Sequence, residues 1–517
     1  MSNAIEDLGI NAAPLAGAMP VFRASIPAGE LRDVCERVRL QRARLVALWG
    51  SDETTRGAGY ALHLALALPC GMLWLTVALP REQPHYPGIA DLYPAANRMQ
   101  RAAYDLVGIE PQGNSDRRKW LRHGSWPDGV FPLRKDFDGA NSSPTADDRY
   151  AFVKVEGEGV HEMPVGPVHA GTIEPGHFRF SIVGEKILRL EERFGYAHKG
   201  IEKRFESMTL DEGARLAGRV SGDSTVAYAW AYAMAVEATT RTEPPPRALA
   251  LRGILLELER IANHLGDLGY LGNDVALSFG FFQFWRLKED LLRTHGELFG
   301  HRYMMDAIVP GGILRDLAQD ACERLLARLK QIHGEVATLK SIYDEHAGAQ
   351  DRFIMTGRVL PELAAKMGLN GFAGRASGIR HDLRVDYPIP PWRQVEPRIA
   401  SHTRGDVAAR VSVRFDELSE SMRLVQALVR QLPAGDIRVP VAACNGGRTG
   451  IGWVEGWRGE VMVALDTADG NRIHRLHAHD PSWQNWPLVE RAVLGNIVPD
   501  FPLINKSFNL SYSGPDL

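Results

Sequence analysis

A helical periodicity dominates residues 210–347 and restricts the middle of the chain to packed helices. Two segments show it most clearly, residues 251–276 and 317–346, where apolar side chains recur at i, i+3, i+4 and i+7. A further helix is predicted over residues 415–432. Because helices of this length bury their apolar stripes against one another, the sequence predicts a large helical domain.

Strand patterns border this helical region. The alternation in residues 177–194, with Gly184 at a turn, predicts a β-hairpin. Residues 453–480 return to strands around an Asp469-Gly470 turn. We therefore expect the helical domain to carry β-hairpins, and the sequence has no internal repeat of fixed period that would indicate a solenoid.

The N-terminal residues predict a smaller α+β unit. Residues 30–50 have the pattern of an amphipathic helix followed by a strand, and residues 91–111 that of a helix broken at Gly108. The stretch 59–80, "GYALHLALALPCGMLWLTVALP", is long enough to span a bilayer. However, Pro69-Cys70-Gly71 divides it into two short runs, which we interpret as buried strands joined by a tight turn.

These patterns give a domain organisation. Residues 131–148 end in a run of Ser, Pro, Asp and Asn and are the best linker candidate. We predict an α+β domain over 1–145, a linker over 146–160, and a large mainly α-helical domain with β-hairpin decorations over 161–517. A chain of 517 residues is long enough for several domains.

Composition limits the classes of function. A net charge of −3 and a pI near 6.6 argue against a nucleic-acid-binding protein. The four cysteines are far apart and form no C-x-x-C pair, so neither a zinc ribbon nor a cubane iron–sulfur cluster is predicted within this chain. Sparse cysteines fit a reducing compartment, and the first residues lack the basic region of a secretory signal.

Familiar nucleotide and hydrolase motifs are missing. The glycine-rich stretch 445–452, "NGGRTGIG", lacks the Lys-Ser/Thr of a P-loop, and we interpret it as a turn between segments. The stretch 266–273, "GDLGYLGN", follows a helix rather than a strand, which argues against a dinucleotide fingerprint. No G-x-S-x-G elbow occurs.

Titratable side chains cluster in residues 196–203, "YAHKGIEK". The cluster is either a solvated, charged helix start or a proton-handling group beside a cavity, with His198 and Glu202 within relay distance. His169, on the Gly/Pro loop 166–171, is either structural or faces a pocket. The pattern leaves both alternatives open.

Several segments together resemble one family over nearly the whole chain. "LYPAANRMQRAAYDLVGIEPQG" followed by "FPLRKDF" resembles the small peripheral-arm subunit of respiratory complex I. Five further segments resemble its quinone-site subunit and, more closely, the large subunit of group 4 membrane-bound nickel–iron hydrogenases: "GPVHAGTIEPGHFRF", "YAHKGIEK", "AYAMAVE", "LLELERIANHL" and "GRASGIRHDLRVDYP". Fusion of the two regions is typical of the formate-hydrogenlyase type.

The resemblance implies a lost metal centre. In true hydrogenases of this family the segment matching "RVSGDS" (219–224) has R-x-C-G-x-C, a second C-x-x-C lies near the C-terminus, and four thiolates hold nickel and iron. The matching positions here are Ser221, Ser224, Ser511 and Gly514. Hydroxyls are hard, weak donors and glycine has no side chain, so we expect this chain to bind no nickel and no other metal.

Quinone chemistry is an alternative that the resemblance leaves open. In complex I the corresponding cavity uses a histidine on the first hairpin loop and a tyrosine near the start of the following helix. His169 matches the histidine, but Gly222 stands at the tyrosine position. We interpret Tyr228 and Tyr232, further along the helix, as packing residues.

The expected function follows from the resemblance. It implies a subunit of a membrane-associated, complex-I-like oxidoreductase complex that couples electron transfer to ion movement, docked peripherally on the cytoplasmic side of the cell membrane. A quinone-reducing NADH dehydrogenase-type subunit and a non-catalytic scaffold are the alternatives. The expected partners are an iron–sulfur small subunit and membrane proton-channel and antiporter-like subunits, with no cofactor held by this chain unless quinone binds.

His169, His198, Glu202 and Asp223 are the expected lining of the residual cavity and its proton route. Asp223 fits equally well as a solvated acid at a helix start, where the helix dipole favours a negative charge.

Overall fold

The computed structural model describes residue 5 and residues 8–139, 148–171 and 173–517. Residues 140–147 lie outside the described residues, and with them the predicted domain boundary at 145 and the first two residues of the linker predicted over 146–160. Within the described residues the fold has a sheet-based N-terminal region followed by a mainly helical region with small sheets. This confirms the predicted fold class.

A five-stranded sheet in the order β1-β2-β5-β4-β3 forms the N-terminal region. The stretch 59–80 forms the antiparallel pair β4 and β5, as predicted. All nine residues of β4 are buried, because both faces of the sheet are covered, so its sequence is apolar at every position except His63 instead of alternating. The strands are β1 (Ala13–Pro14), β2 (Val21–Ile26), β3 (Arg44–Asp52), β4 (Tyr60–Leu68), β5 (Gly71–Leu79), β6 (His85–Pro87) and β7 (Glu110–Gln112), and the helices are α1 (Leu31–Leu40) and α2 (Ala96–Val107).

Within the described ranges, none of the helices combines enough length with enough apolar character to cross a bilayer.

A buried helix, α5, lies at the centre of the second region, and all sixteen of its residues are buried. The long helix α6 packs against α7, α14 and α5. The helices of this region are α3 (Ile201–Phe205), α4 (Leu210–Ala217), α5 (Thr225–Thr240), α6 (Pro246–Asp274), α7 (Ser278–Phe299), α8 (Gln319–Glu345), α9 (Ala347–Phe353), α10 (Pro361–Met367), α11 (Gly371–Ala376), α12 (Leu383–Asp386), α13 (Trp392–Val395), α14 (Val407–Arg430), α15 (Ser482–Ala492), α16 (Phe501–Phe508) and α17 (Ser513–Asp516).

Small antiparallel sheets decorate this helical region. The predicted hairpin is confirmed as β9 and β10, with β8 paired to β9, and the predicted C-terminal strands form the sheet β13-β14-β15. The strands are β8 (Val160–Val165), β9 (His177–Val183), β10 (Lys186–Arg193), β11 (Ile308–Val309), β12 (Gly312–Ile313), β13 (Thr449–Glu455), β14 (Glu460–Ala468) and β15 (Arg472–His479).

The interpretation of residues 445–452 as a turn is wrong in its second half. Residues 449–452 begin strand β13, which packs directly on α5. A Cβ added to Gly450 would stand 2.3 Å from the backbone oxygen of Ala235, and one added to Gly452 would stand 1.8 Å from that of Ala231. Glycine is therefore needed at both positions, because the strand approaches the helix so closely that a side chain would not fit between their backbones.

Candidate functional site

The two serines of "RVSGDS" lie just before the central helix α5. Ser221 has extended backbone angles, φ −141° and ψ 119°, and Gly222–Ser224 form a 3-10 turn. The spacing of three residues would fit one turn of an α-helix, but both serines precede the α-helix, which begins at Thr225. The carboxylate of Glu259, on α6, accepts the N–H groups of Val226 at 2.7 Å and Ala227 at 3.3 Å, so another helix supplies the N-terminal hydrogen bonds of α5.

Ser511 lies beside this turn, although it is 290 positions away in the sequence. Its hydroxyl oxygen is 3.0 Å from that of Ser221 and accepts the N–H of Gly514 at 2.9 Å. The hydroxyl of Ser221 also donates to Oδ1 of Asp223 at 3.1 Å. Because a hydroxyl has one proton, Ser511 donates to Ser221, and the three side chains form a directed chain of hydrogen bonds.

An aspartate fills the space beside the fourth matched position. A Cβ added to Gly514 would stand 2.3 Å from Oδ2 of Asp480. That oxygen accepts the hydroxyl of Tyr228 at 2.8 Å, and Oδ1 accepts the N–H of Ser482 at 2.8 Å. Burial raises the pKa of Asp480. The interpretation of Tyr228 as a packing residue is incomplete, because its hydroxyl is part of the site.

Sequence reasoning missed Arg458, which joins the two sides of the site. Its guanidinium donates to both oxygens of Asp223, at 2.6 and 2.5 Å, and to Oγ of Ser224 at 3.2 Å. Its Nε donates to the carbonyl oxygen of Asn509 at 2.6 Å. Arg458 lies in the short loop between β13 and β14, which is bordered by a glycine on each side. These glycines were the only feature of the sequence that pointed to the loop.

Asp223 is bound rather than freely solvated. Burial pushes the pKa of Asp223 upward, but the charge of Arg458 and its hydrogen bonds outweigh this and lower the pKa. The side chain is 38% exposed, whereas that of Arg458 is 5% exposed. The pair therefore fixes an ionised carboxylate, neutralised by Arg458, at the edge of the serine cluster.

The titratable residues of the "YAHKGIEK" segment lie in two different environments. Helix α3 starts only at Ile201, and Glu202 is buried against β15, where His477 donates to it at 2.7 Å and Arg475 is paired with it at 3.2 Å. Burial pushes the pKa of Glu202 upward, but Arg475 and His477 outweigh it and lower the pKa to about 2. The alternative of a solvated helix start is therefore wrong for this carboxylate.

His198 does not form the predicted relay with Glu202. Its Nδ1 hydrogen-bonds the backbone oxygen of Asp516 at 2.6 Å, and no hydrogen bond joins the two side chains in the described part of the chain. Lys199 instead connects this segment to the serine turn, since its Nζ donates to the carbonyl oxygens of Arg219 at 3.0 Å and Val220 at 2.8 Å.

His169 lies on its own loop, half-buried. Its Nε2 hydrogen-bonds the carbonyl oxygen of Gly176 at 2.8 Å, and its ring is 5.8 Å from that of Phe178. Glu174, further along the same loop, makes the contact with the site, because it accepts the N–H groups of Tyr512 at 3.1 Å and Ser513 at 3.0 Å. Nothing in the sequence singled out Glu174.

The donors at the four matched positions do not fit a nickel–iron centre. Three hydroxyls and one glycine replace the soft thiolates that such a centre requires, and Asp480 fills the space beside the glycine. Among the residues that the structure describes, no group of three or more His, Cys, Asp or Glu side chains is arranged to hold a metal ion.

Family models match both regions of the chain. Residues 24–143 match the respiratory-chain NADH dehydrogenase 30 Kd subunit, and residues 274–446 match the 49 Kd subunit. Formate hydrogenlyase subunit 5 of Escherichia coli (strain K12) is 32% identical over 480 residues, which cover 91% of this chain and 84% of that protein. The chain belongs to this family of fused 30 kDa and 49 kDa subunits. The resemblance inferred from the motifs is confirmed.

Other members of the fused-subunit family come from NADH dehydrogenases. The C/D fusion protein of the NADH-quinone oxidoreductase of Bacteroides thetaiotaomicron is 28% identical over 90% of this chain and 92% of that protein. Among solved structures, a chain of the membrane-bound sulfane sulfur reductase, described as an archaeal respiratory membrane complex, superposes with a TM-score of 0.66. At 21% identity, over 70% of this chain and 99% of that chain, this match shows a shared fold.

Proposed function

We propose that this chain is the hydrogenase-related subunit of a membrane-associated, complex-I-like oxidoreductase complex and that it works without a nickel–iron centre. The observation that carries the proposal is the relation between Gly514 and Asp480. A thiolate at position 514 would overlap the Asp480 carboxylate, which is itself held by Tyr228 and Ser482.

The chemistry of the remaining donors supports the same conclusion. Neutral hydroxyls are poor ligands for soft transition metals, and each serine at the site already has a protein partner. Ser221 and Ser511 bind each other, and Ser224 accepts from Arg458. A metal ion would have to displace these hydrogen bonds without gaining thiolate ligands.

The polar cluster is suited to passing a proton along its hydroxyls. Ser511, Ser221 and Asp223 form a hydrogen-bonded chain that ends on a half-exposed carboxylate. Hydroxyls both donate and accept, so such a chain can pass a proton between its ends. Arg458 fixes the orientation of Asp223 and stabilises its ionised form.

The relatives support an inference about partners and location. The relatives are named as hydrogenase and NADH dehydrogenase components, and the structural neighbour belongs to a respiratory membrane complex. We infer that this chain binds the cytoplasmic side of the cell membrane peripherally. Its neighbours in this proposal are an iron–sulfur small subunit, which would supply electrons, and membrane proton-channel and antiporter-like subunits.

The proposal is tested on the complex purified natively from cells. Elemental analysis, a hydrogen-uptake assay and identification of the co-purifying subunits are measured on one sample. We expect no stoichiometric nickel, no hydrogen uptake, and an iron–sulfur subunit in the same particle. Hydrogen uptake that scales with nickel content would contradict the proposal.

Quinone reduction is a second candidate, favoured by the NADH-quinone oxidoreductase relative that spans 90% of the chain. In this alternative His169, which is half-buried on its loop, would contact the quinone. Titration of the purified complex with a quinone analogue, with and without His169→Ala, distinguishes the candidates. Unchanged turnover in the variant would argue against quinone reduction at this site.

A scaffold role is the remaining alternative. It requires that Asp223→Asn and Glu202→Gln leave the activity of the complex intact, while truncations prevent its assembly. Loss of activity in an assembled complex that carries Asp223→Asn would exclude it.

A further inference from the structure

A groove follows the boundary between the N-terminal region and the helical region. Its central cavity has a volume of about 860 Å³ and is lined by residues of α2, the loop after β7, β10 and α15. A second cavity, about 430 Å³, lies between the end of α1 and α10 and shares Asp91, Pro94, Lys366 and Met367 with the first. A third, about 140 Å³, continues it past β10 and α15. We call the three connected cavities the boundary groove.

Every carboxylate that lines the central cavity is already paired with an arginine. Together with Arg101, which also pairs with Asp116 at 3.1 Å, these arginines offset most of the negative charge of the five carboxylates, so little attraction is left for a cationic ligand. The pairs are Asp91 with Arg32 at 2.7 Å, Asp116 with Arg118 at 2.7 Å, Glu191 with Arg118, Glu192 with Arg98 at 3.0 Å, and Glu490 with Arg98 at 2.7 Å.

Five cationic side chains of the boundary groove have no such partner. In the described ranges, no ion pair or side-chain hydrogen bond is made by Arg39, Arg42, Arg189, Lys366 or Arg491. The Nε of Arg189 is closed off from solvent without a hydrogen-bond partner. An unpaired buried donor is costly, so an anionic group bound here would relieve that cost and neutralise the surrounding charge.

The shape favours an extended ligand over a compact one. The three cavities form one continuous path, and the two aromatic rings in the central cavity are already covered by guanidinium groups. Arg98 and Arg101 lie over the ring of Trp120 at 4.7 and 5.0 Å, and Arg118 lies over that of Tyr150 at 4.8 Å. A nucleotide base would therefore find little free aromatic surface for stacking.

Exposed leucines lie near the two ends of the boundary groove. Leu40, 78% exposed, lies between Arg39 and Arg42 in the sequence, and Leu188 and Leu494, each 40% exposed, line the third cavity. Apolar contacts at both ends and unpaired cations along the length suit an acidic polypeptide with apolar flanking residues.

We propose that the boundary groove binds an extended acidic segment of a partner subunit. This inference does not depend on the metal content of the site, and it requires only that the chain is assembled with other subunits. Arg189, Lys366 and Arg491 would each bind a carboxylate of that segment.

Peptide binding to the full-length chain tests the proposal directly. The probe is a fluorescein-labelled oligo-glutamate peptide, followed by anisotropy at an ionic strength of about 0.15 M, with oligo-thymidylate as the nucleic-acid comparison. The variant is Arg189→Gln/Lys366→Gln/Arg491→Gln, and the charge-matched control on α8 is Arg324→Gln/Arg328→Gln/Lys330→Gln. We expect saturable binding that weakens about tenfold in the groove variant and changes less than about twofold in the control.

Equal weakening in both variants, absence of saturable binding, or preference for oligo-thymidylate would each overturn the proposal. The unmodified native complex provides an independent test through zero-length coupling of amines to carboxylates. We expect Lys366 to be joined to an Asp or Glu within an acidic stretch of another subunit. Coupling of Lys366 only within its own chain would overturn the proposal even if a variant failed to fold.

Discussion

The carboxylate of Asp480 occupies the space into which a side chain at Gly514 would project, with only 2.3 Å between its Oδ2 and the added Cβ. Tyr228 and Ser482 hold that carboxylate in place by hydrogen bonds. Position 514, which the resemblance matches to a metal-binding cysteine of the hydrogenases, therefore leaves no room for a side chain unless Asp480 moves. The proposed loss of the metal centre can thus be tested by stability as well as by metal content.

Gly514→Ala should destabilise the protein by about 1–3 kcal/mol, because overpacking forces the surrounding groups to move. Urea unfolding measures the change, and Gly222→Ala is the control, since a Cβ at Gly222 meets nothing within 4 Å. In an Asp480→Ala background the same substitution should cost less. Additive costs in the double variant would show that the two positions do not compete for space.

Arg458→Met should destabilise the fold by about 2–3 kcal/mol. Removing one partner of a fully buried pair costs roughly 3–5 kcal/mol, and the smaller value is expected because Asp223 is 38% exposed. Arg324→Met, which breaks the exposed pair with Asp320, should cost about 0–1 kcal/mol. Chemical unfolding compares the two variants, and equal losses would contradict the role assigned to Arg458.

Much of this architecture is predictable from sequence, whereas the site is only partly so. The long helices and the hairpins have strong periodicities, and the structure confirms α6, α8, β9 and β10. The approach of Ser511 to Ser221 depends on the packing of distant segments, so only the family resemblance pointed to it. Arg458, Asp480 and Glu174 lie in connections without a distinctive pattern, and tertiary contacts alone give them their roles.

The start of α5 illustrates why a local pattern can mislead. Ser221 and Ser224 resemble two residues on one helical turn, but the α-helix begins at Thr225. Glu259, on a different helix, accepts the first free N–H groups. Such a capping partner cannot be read from the local sequence.

Glu202 should contribute a pH-dependent part of the stability. The pKa of Glu202 is lowered from 4.5 to about 2 in the folded protein, so its stabilising effect is present above about pH 4.5 and is lost as the pH falls toward 2. The difference in unfolding free energy between the wild type and Glu202→Gln should therefore shrink on acidification. Glu345→Gln, at an exposed position, is the control, and a difference that stays constant or grows would contradict the assignment.

Restoring cysteines should not by itself restore a metal site. The variant Ser221→Cys/Ser224→Cys/Ser511→Cys/Gly514→Cys recovers the four soft donors, but Asp480 still overlaps the last position. Adding Asp480→Ala should tighten cobalt(II) binding by about tenfold or more, which thiolate-to-cobalt absorbance would detect. Equal affinity of the two variants would show that Asp480 does not obstruct the site.

Nickel analysis of the natively purified complex, normalised to the amount of this chain, tests the central claim most directly. A site of hydroxyls, glycine and an obstructing carboxylate predicts no nickel above the background of a mock purification. One nickel per chain, retained through dialysis against a chelator, would contradict it.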